Sequence, residues 1–162
     1  MMGEAIISRR GGKYDIGSFV NLFNLSDIVA GEVWSKTDVG YGSGIAVDSL
    51  GNVYCAHNVS SGKAIRKLDS SGNEVWSKTD VANGYGVAVD SSGNVYCAHS
   101  VGSGSKAIRK LDSNGNEVWS KTDVGYGSGI AVDSSGNVYC AHYVGSGSKA
   151  IRKLAQGYII LS

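Results

Sequence analysis

A repeat of 42 to 43 residues governs what this chain can fold into. Trp34, Trp76 and Trp119 lie 42 and 43 residues apart, and the sets Cys55, Cys97, Cys140 and His57, His99, His142 keep the same two spacings. Residues 84–111 laid over 127–154 differ only at Tyr85/Ser128, Val87/Ile130 and Ser100/Tyr143. A supersecondary unit repeated at this period cannot bury its apolar faces alone. It must stack against copies of itself, which excludes a single irregular core.

Within a unit the apolar runs are short. Residues 44–48 are apolar and partly β-branched, 53–57 alternate, and runs at 63–68 and 74–79 complete the set. The alternation places Val53, Cys55 and His57 on one face and Tyr54 and Ala56 on the other. No run carries a helical stripe, and each has strand length. Asp48-Ser49-Leu50-Gly51-Asn52 and Asp69-Ser70-Ser71-Gly72-Asn73 sit between runs. Asp can accept hydrogen bonds from amides further along a turn and Gly supplies a positive φ, so both predict hairpin loops of about three to five residues. The Ser/Gly stretch at 58–62 reads as a looser connection. Four antiparallel strands per repeat predict an all-β fold, a β-propeller built from four-stranded blades.

The two ends are less regular. Residues 5–14 overlay 45–54 at an offset of 40, residues 20–25 offer a third run, and Glu32-Val33-Trp34-Ser35 repeats the fourth. Residues 157–161 stand where the last unit needs its fourth strand. The chain therefore reads as one propeller domain over 1–162, with units 1–41 (degenerate), 42–83, 84–126 and 127–162. The alternative has three blades, with the Trp34 run paired to residues 149–154.

The stretches GIAVDSSGNVYCAH and AIRKLDSNG resemble the NHL repeat of β-propellers, and the following EVW is similar to the strand end of quinoprotein-type propeller repeats. The resemblance implies the propeller fold and leaves function open, because folds host many functions. It places an Asp at His57, His99 and His142 and an Arg at Ala64, Ala107 and Ala150, a pair that commonly faces each other in the family. The joint loss of both implies a different polar link between the strands. The opening GEAIISRRGG also resembles the start of some small phage tail-associated proteins.

Composition narrows the function classes. With 24 glycines, no proline, 18 % charged residues and a net charge of +1, the chain is neither collagen-like nor a charged disordered tail. No apolar run approaches the roughly 20 residues that span a bilayer. The start lacks an apolar segment of secretory type, so the expected location is cytoplasmic or on a virion, with no membrane partner.

Each repeated motif has a functional and a structural reading. Cys and His two residues apart are zinc ligands by type, but one blade offers only two and neighbouring sheets lie about 10 Å apart. Packing is the expectation, with no metal, no disulfide and no Cys/His catalytic pair. The Asp-Ser-Ser-Gly-Asn loops alternate oxygen groups as calcium loops do but lack a distal Glu, so they read as turns. Lys63, Arg66 and Lys67 recur at 106/109/110 and 149/152/153 beside recurrent acids. That pattern reads as a solvated, internally paired edge rather than a nucleic-acid track. The aromatic residues are the candidate ligand-binding set. Trp34, Trp76 and Trp119 either pack between blades or, if exposed, form a sugar-stacking surface joined by Tyr41, Tyr85, Tyr126 and Tyr143.

The sequence thus predicts a non-enzymatic binding or structural module without cofactor, offering a repeated surface to glycans or cell-surface partners in a phage or prophage setting. The alternative is a protein-interaction scaffold without a small ligand. A propeller lyase or lactonase is disfavoured, since the polar residues repeat rather than form one asymmetric cluster. A second copy is an expected partner: an open arc leaves two apolar faces wet, and a homodimer closes the ring with eight blades; the alternatives are a four-bladed monomer closed on itself and a six-bladed dimer of three-blade chains.

Overall fold

Contacts divide the chain between Val33 and Trp34, and the computed structural model describes residues 31–38, 40–59, 62–80, 83–99, 107–122, 126–143 and 151–155. Eleven strands occur among these residues: β1 (Tyr41–Val47), β2 (Val53–Asn58), β3 (Ile65–Leu68), β4 (Glu74–Lys78), β5 (Gly84–Val89), β6 (Val95–His99), β7 (Ile108–Leu111), β8 (Glu117–Lys121), β9 (Tyr126–Val132), β10 (Val138–Tyr143) and β11 (Ile151–Leu154). They form antiparallel sheets in the orders β1-β2-β3-β4, β5-β6-β7-β8 and β9-β10-β11. The four-stranded blade read from the repeat is the observed unit. Most of the degenerate first unit and the 157–161 run lie outside the described residues.

The hairpin turns follow from their Asp and Gly. In the first, the Asp48 amide donates to the Asn52 carbonyl at 3.1 Å and Gly51 donates to the Asp48 carbonyl at 3.0 Å. Gly51 has φ +78°, a left-handed conformation that a Cβ disfavours. The Asp48 carboxylate accepts from the amides of Leu50 and Asn52 at 2.9 Å, from the Asn52 side chain at 2.8 Å and from the Tyr54 hydroxyl at 3.0 Å. Backbone bonds of the same kind close the turns that begin at Asp69, Asp90, Asp112 and Asp133.

Register sorts the side chains into two faces per sheet. Ile45, Cys55, Arg66 and Ser77 are successive cross-strand partners, and Ala46, Tyr54, Lys67 and Trp76 form the next row. Because partners share a face, the first row looks toward the preceding unit and the second toward the following one. The cores lie between sheets. Tyr54, Ala56 and Ile65 of the first sheet pack with Val87, Val95, Cys97 and Leu111 of the second. Ala98 and Ile108 of the second pack with Cys140 of the third, flanked by Trp119, Ile130 and Leu154. The innermost strands β1, β5 and β9 neighbour one another in that order.

Glycine permits the inner strands to approach this closely. A Cβ on Gly84 would lie 2.7 Å from the Ala64 carbonyl oxygen and 2.9 Å from Ile65 Cδ1. On Gly127, the same position one unit later, it would meet the Ala107 carbonyl oxygen at 2.9 Å. Gly42 is the equivalent residue of the first sheet, and nothing lies within 4 Å of its Cβ position. Gly84→Ala is expected to destabilise the protein by about 1–3 kcal/mol, because the preceding sheet's backbone must move. Gly42→Ala should be neutral or slightly stabilising. Urea denaturation of the two variants checks this, and equal effects would show that the contact at Gly84 is not what holds the sheets together.

Candidate functional site

The face that carries Cys, His and Arg is largely interior in the second sheet, while in the first it buries His57 and Arg66 and leaves Ile45 exposed. Arg66 is buried, and its guanidinium donates to Asp38 at 3.0 Å and to Glu74 of its own sheet. Arg109 repeats the arrangement, with Nη2 2.9 Å from Asp80 and Nε 2.8 Å from Glu117. Asp80 follows β4 of the first sheet, so this bond ties one blade to the next. This is the polar link that stands where the propeller-repeat resemblance places an Asp–Arg pair. The positions of that pair are occupied by backbone contact alone: the His57 amide donates to the Ala64 carbonyl at 2.8 Å, and His99 to Ala107 at 2.8 Å. The expectation of a solvated basic edge is corrected here. Lys63 is half-exposed and bonds Glu74 at 2.7 Å, but the arginines lie under the neighbouring segment. Each lysine at the third position lies over a tyrosine ring: Lys67 over Tyr54, Lys110 over Tyr96 and Lys153 over Tyr139, each at 5.3 Å.

The thiols and imidazoles of that face are largely buried. All three cysteines are unbridged. Burial pushes the Cys97 thiol up to about 12, which keeps it protonated and unreactive. Burial also drives His99 down to about 4, with the Arg109 charge adding to the effect. Neither ring nitrogen of His57 or His99 has a hydrogen-bond partner. In the third sheet the His142 Nε2 approaches Cys140 Sγ at 3.0 Å. No group of three or more metal-binding side chains gathers among the described residues.

The tryptophans are seam residues. Trp34 Nε1 donates to the Ser70 carbonyl at 3.3 Å and its ring covers Gly72, while Trp76 Nε1 donates to the Ser113 carbonyl at 3.1 Å and its ring covers Gly115. Each indole thus seats on the third-to-fourth-strand turn of the following sheet. Its other side meets a tyrosine of its own sheet: Tyr54–Trp76 and Tyr96–Trp119 have ring centroids 6.3 Å apart. Of the two readings of these residues, packing between blades is the one observed for Trp34 and Trp76. The sugar-stacking reading needs an open indole face, and Gly72 and Gly115 each cover one face of these two rings. Trp119 is half-buried against the core of the second seam.

The candidate tyrosines share one end of the blades, opposite the Asp turns. Tyr41 and Tyr126 begin β1 and β9 and are exposed, Tyr41 by 86 % and Tyr126 by 46 %. Tyr143 is the register partner of Tyr126 across β9 and β10, and its side chain lies outside the described residues. Tyr85 is half-buried and sits two positions further along, where the other sheets have Ser43 and Ser128. The aromatic set is therefore not a threefold copy, because Asn83 holds the position of Tyr41 and Tyr126 in the second sheet. Asn83 has φ +48°, a backbone position that Asn tolerates better than an aromatic residue.

At the opposite end lie grooves that sequence reasoning missed. One, of about 380 Å³, runs between the Asp48 and Asp90 turns and is lined by Ser49, Asn52, Lys67 and Ser91. A smaller one, of about 260 Å³, runs between the Asp90 and Asp133 turns. No periodicity signals them, since they arise only where turns of successive sheets diverge. Their carboxylates are already engaged: hydrogen bonds from the Asn137 side chain and backbone hold Asp133 below the usual carboxylate range, burial opposing them.

No family model matches the chain, and no curated protein matches it. Solved structures do. Kuenenia stuttgartiensis hydrazine synthase superposes with a TM-score of 0.59 at 17 % identity, over 75 % of this chain and 34 % of that one. A protein of unknown function from Bacteroides caccae superposes with a TM-score of 0.51 at 14 % identity, over 75 % of this chain and 44 % of that one. The chain thus spans less than half of either structure. At such identities the likeness establishes architecture alone: the sheets are blades of β-propeller type.

Proposed function

We propose that this chain is a non-catalytic propeller module of NHL-like repeats that binds glycans of a cell surface through the blade end carrying Tyr41, Tyr126 and Tyr143. One observation carries the reading. Large aromatic side chains are exposed at Tyr41 and Tyr126, at matching positions of two sheets, while His57, His99, His142, Arg66 and Arg109 are buried. An exposed tyrosine ring presents an apolar face and a hydroxyl to a sugar, and repetition on a rigid frame converts weak stacking into avidity. The resemblance of the opening residues to phage tail-associated proteins supports a cell-surface partner, and a virion or the producing cell's cytoplasm as the location.

A glycan array with the intact protein tests this. Binding to a restricted set of glycans is expected. Combined Tyr41→Ala, Tyr126→Ala and Tyr143→Ala should weaken it by tenfold or more, and the same changes made singly should weaken it less. Undiminished binding by the triple variant would overturn the assignment of the surface. Capture of protein but no glycan would favour the interaction-scaffold reading.

A further inference from the structure

The two ends of the described fold are incomplete in complementary ways. The third sheet stops at β11 and has no fourth strand among the described residues. Its face toward a following unit is open: Ile151 is 78 % exposed and Tyr139 38 %. The equivalent Ile65, Ile108, Tyr54 and Tyr96 are fully buried. At the other end the inner strand of the first sheet is uncovered, with Ile45 70 % exposed where the equivalent Val87 is 7 % exposed. Gly42, whose counterparts Gly84 and Gly127 are pressed by a preceding sheet, faces empty space.

Trp34 shows what belongs there. The sequence around it, Glu32-Val33-Trp34-Ser35-Lys36, repeats Glu74–Lys78 and Glu117–Lys121. Its indole seats on the Asp69 turn just as Trp76 seats on the Asp112 turn, and Asp38 reaches Arg66 as Asp80 reaches Arg109. The Trp34 segment therefore occupies the place of a blade's outermost strand, with no inner strands of that blade among the described residues. Among the described residues the third sheet has inner strands and no outermost one.

We propose that the missing partner of each is a second copy of this chain, joined head to tail so that β11 of one copy pairs with the Trp34 segment of the other. The register is set by β3 and β4, where Ile65, Arg66 and Lys67 oppose Lys78, Ser77 and Trp76. Ile151 would oppose Lys36, Arg152 would oppose Ser35, and Lys153 would oppose Trp34. The composite blade then covers Ile45 of one copy with Ile151 and Tyr139 of the other. This continues an interface already made twice within each chain, where Tyr54 and Ile65 meet Val87 and Ala98 and Ile108 meet Cys140. Strand addition satisfies edge amides and carbonyls as well as apolar surface. With the three blades of the described residues from each chain, two copies close a six-bladed ring.

The test is sedimentation equilibrium of the intact chain with two single-face variants, Ile45→Glu and Ile151→Glu. Both positions are exposed, so each variant should keep the wild-type circular dichroism. The wild type is expected at the mass of two chains, falling toward one on dilution. Each variant alone should have the mass of one chain. An equimolar mixture should recover a two-chain species, because the intact tail of Ile45→Glu meets the intact head of Ile151→Glu. A wild type with one-chain mass at all concentrations overturns the proposal, as does a mixture that does not recover. The double variant Lys36→Cys with Ile151→Cys distinguishes the route. Oxidation should give disulfides between chains, and a disulfide confined to one chain would show that the ring closes on itself with three blades.

Discussion

Replacing Asp80 with Asn and Glu117 with Gln together is expected to destabilise the protein by about 3 kcal/mol or more, the range seen when a buried charge loses its partners. The Arg109 side chain is only 3 % exposed, so its guanidinium has no water to replace the two carboxylates. Arginine does not escape by losing its proton. Arg109→Met should be milder, under about 2 kcal/mol, because an unbranched apolar chain can fill the slot and the carboxylates left behind are half-wet. Asp80 lies just beyond β4 and Glu117 within β8, so the loss should separate two sheets rather than loosen one. Urea denaturation of the three proteins gives the order. If Arg109→Met proves the more damaging, the guanidinium's packing and not its charge pairing holds this seam.

Stability is expected to fall as the pH drops from about 7 to 5, before ordinary carboxylates titrate. Burial holds His99 at about 4 in the folded chain, against the ordinary 6.5 of a histidine in water. The unfolded chain therefore takes up a proton first. A base whose folded pKa is depressed contributes stability that is complete above its unfolded pKa and is lost as the pH falls toward the folded one. The linkage relation puts the loss from His99 at about 2 kcal/mol by pH 5 and about 3 by pH 4. His57 is shifted in the same direction by burial and by Arg66, and adds to it. The acids lose stability in the same direction but at lower pH: the Asp80 carboxyl is held down by its bond to Arg109, so its contribution is lost only below about pH 4. Denaturant midpoints measured from pH 7.5 to 5 should slope downward, and His99→Gln should flatten the slope. A flat profile in the wild type would mean that the imidazole reaches water in the folded state.

The repeat by itself determined the architecture. A 42 to 43-residue period of short apolar runs separated by Asp-x-x-Gly-Asn leaves little but a four-stranded antiparallel blade, and alternation already placed Cys55 and His57 opposite Tyr54. These features are local, since strand alternation and a glycine's positive φ need no distant neighbour. The faces those residues meet are not local. Nothing in the spacing says that Arg66 turns inward under Asp38, that Trp76 crosses to the turn at Ser113, or that the glycine at 84 is pressed while its copy at 42 is free. Near-identical residues have different exposures because each blade's surroundings come from its neighbours, and among the described residues the first and third sheets each have a neighbour on one side only. The apparent equivalence of Tyr85 with Tyr41 and Tyr126 failed. The overlay that pairs Tyr85 with Ser128 already puts Asn83 in their place, and the structure adds the positive φ that goes with it. Sequence fixes what a blade is, because hydrogen-bonded hairpins are written in contiguous residues. Tertiary structure decides which of its side chains are seam and which are surface, because burial depends on the sheet that packs alongside.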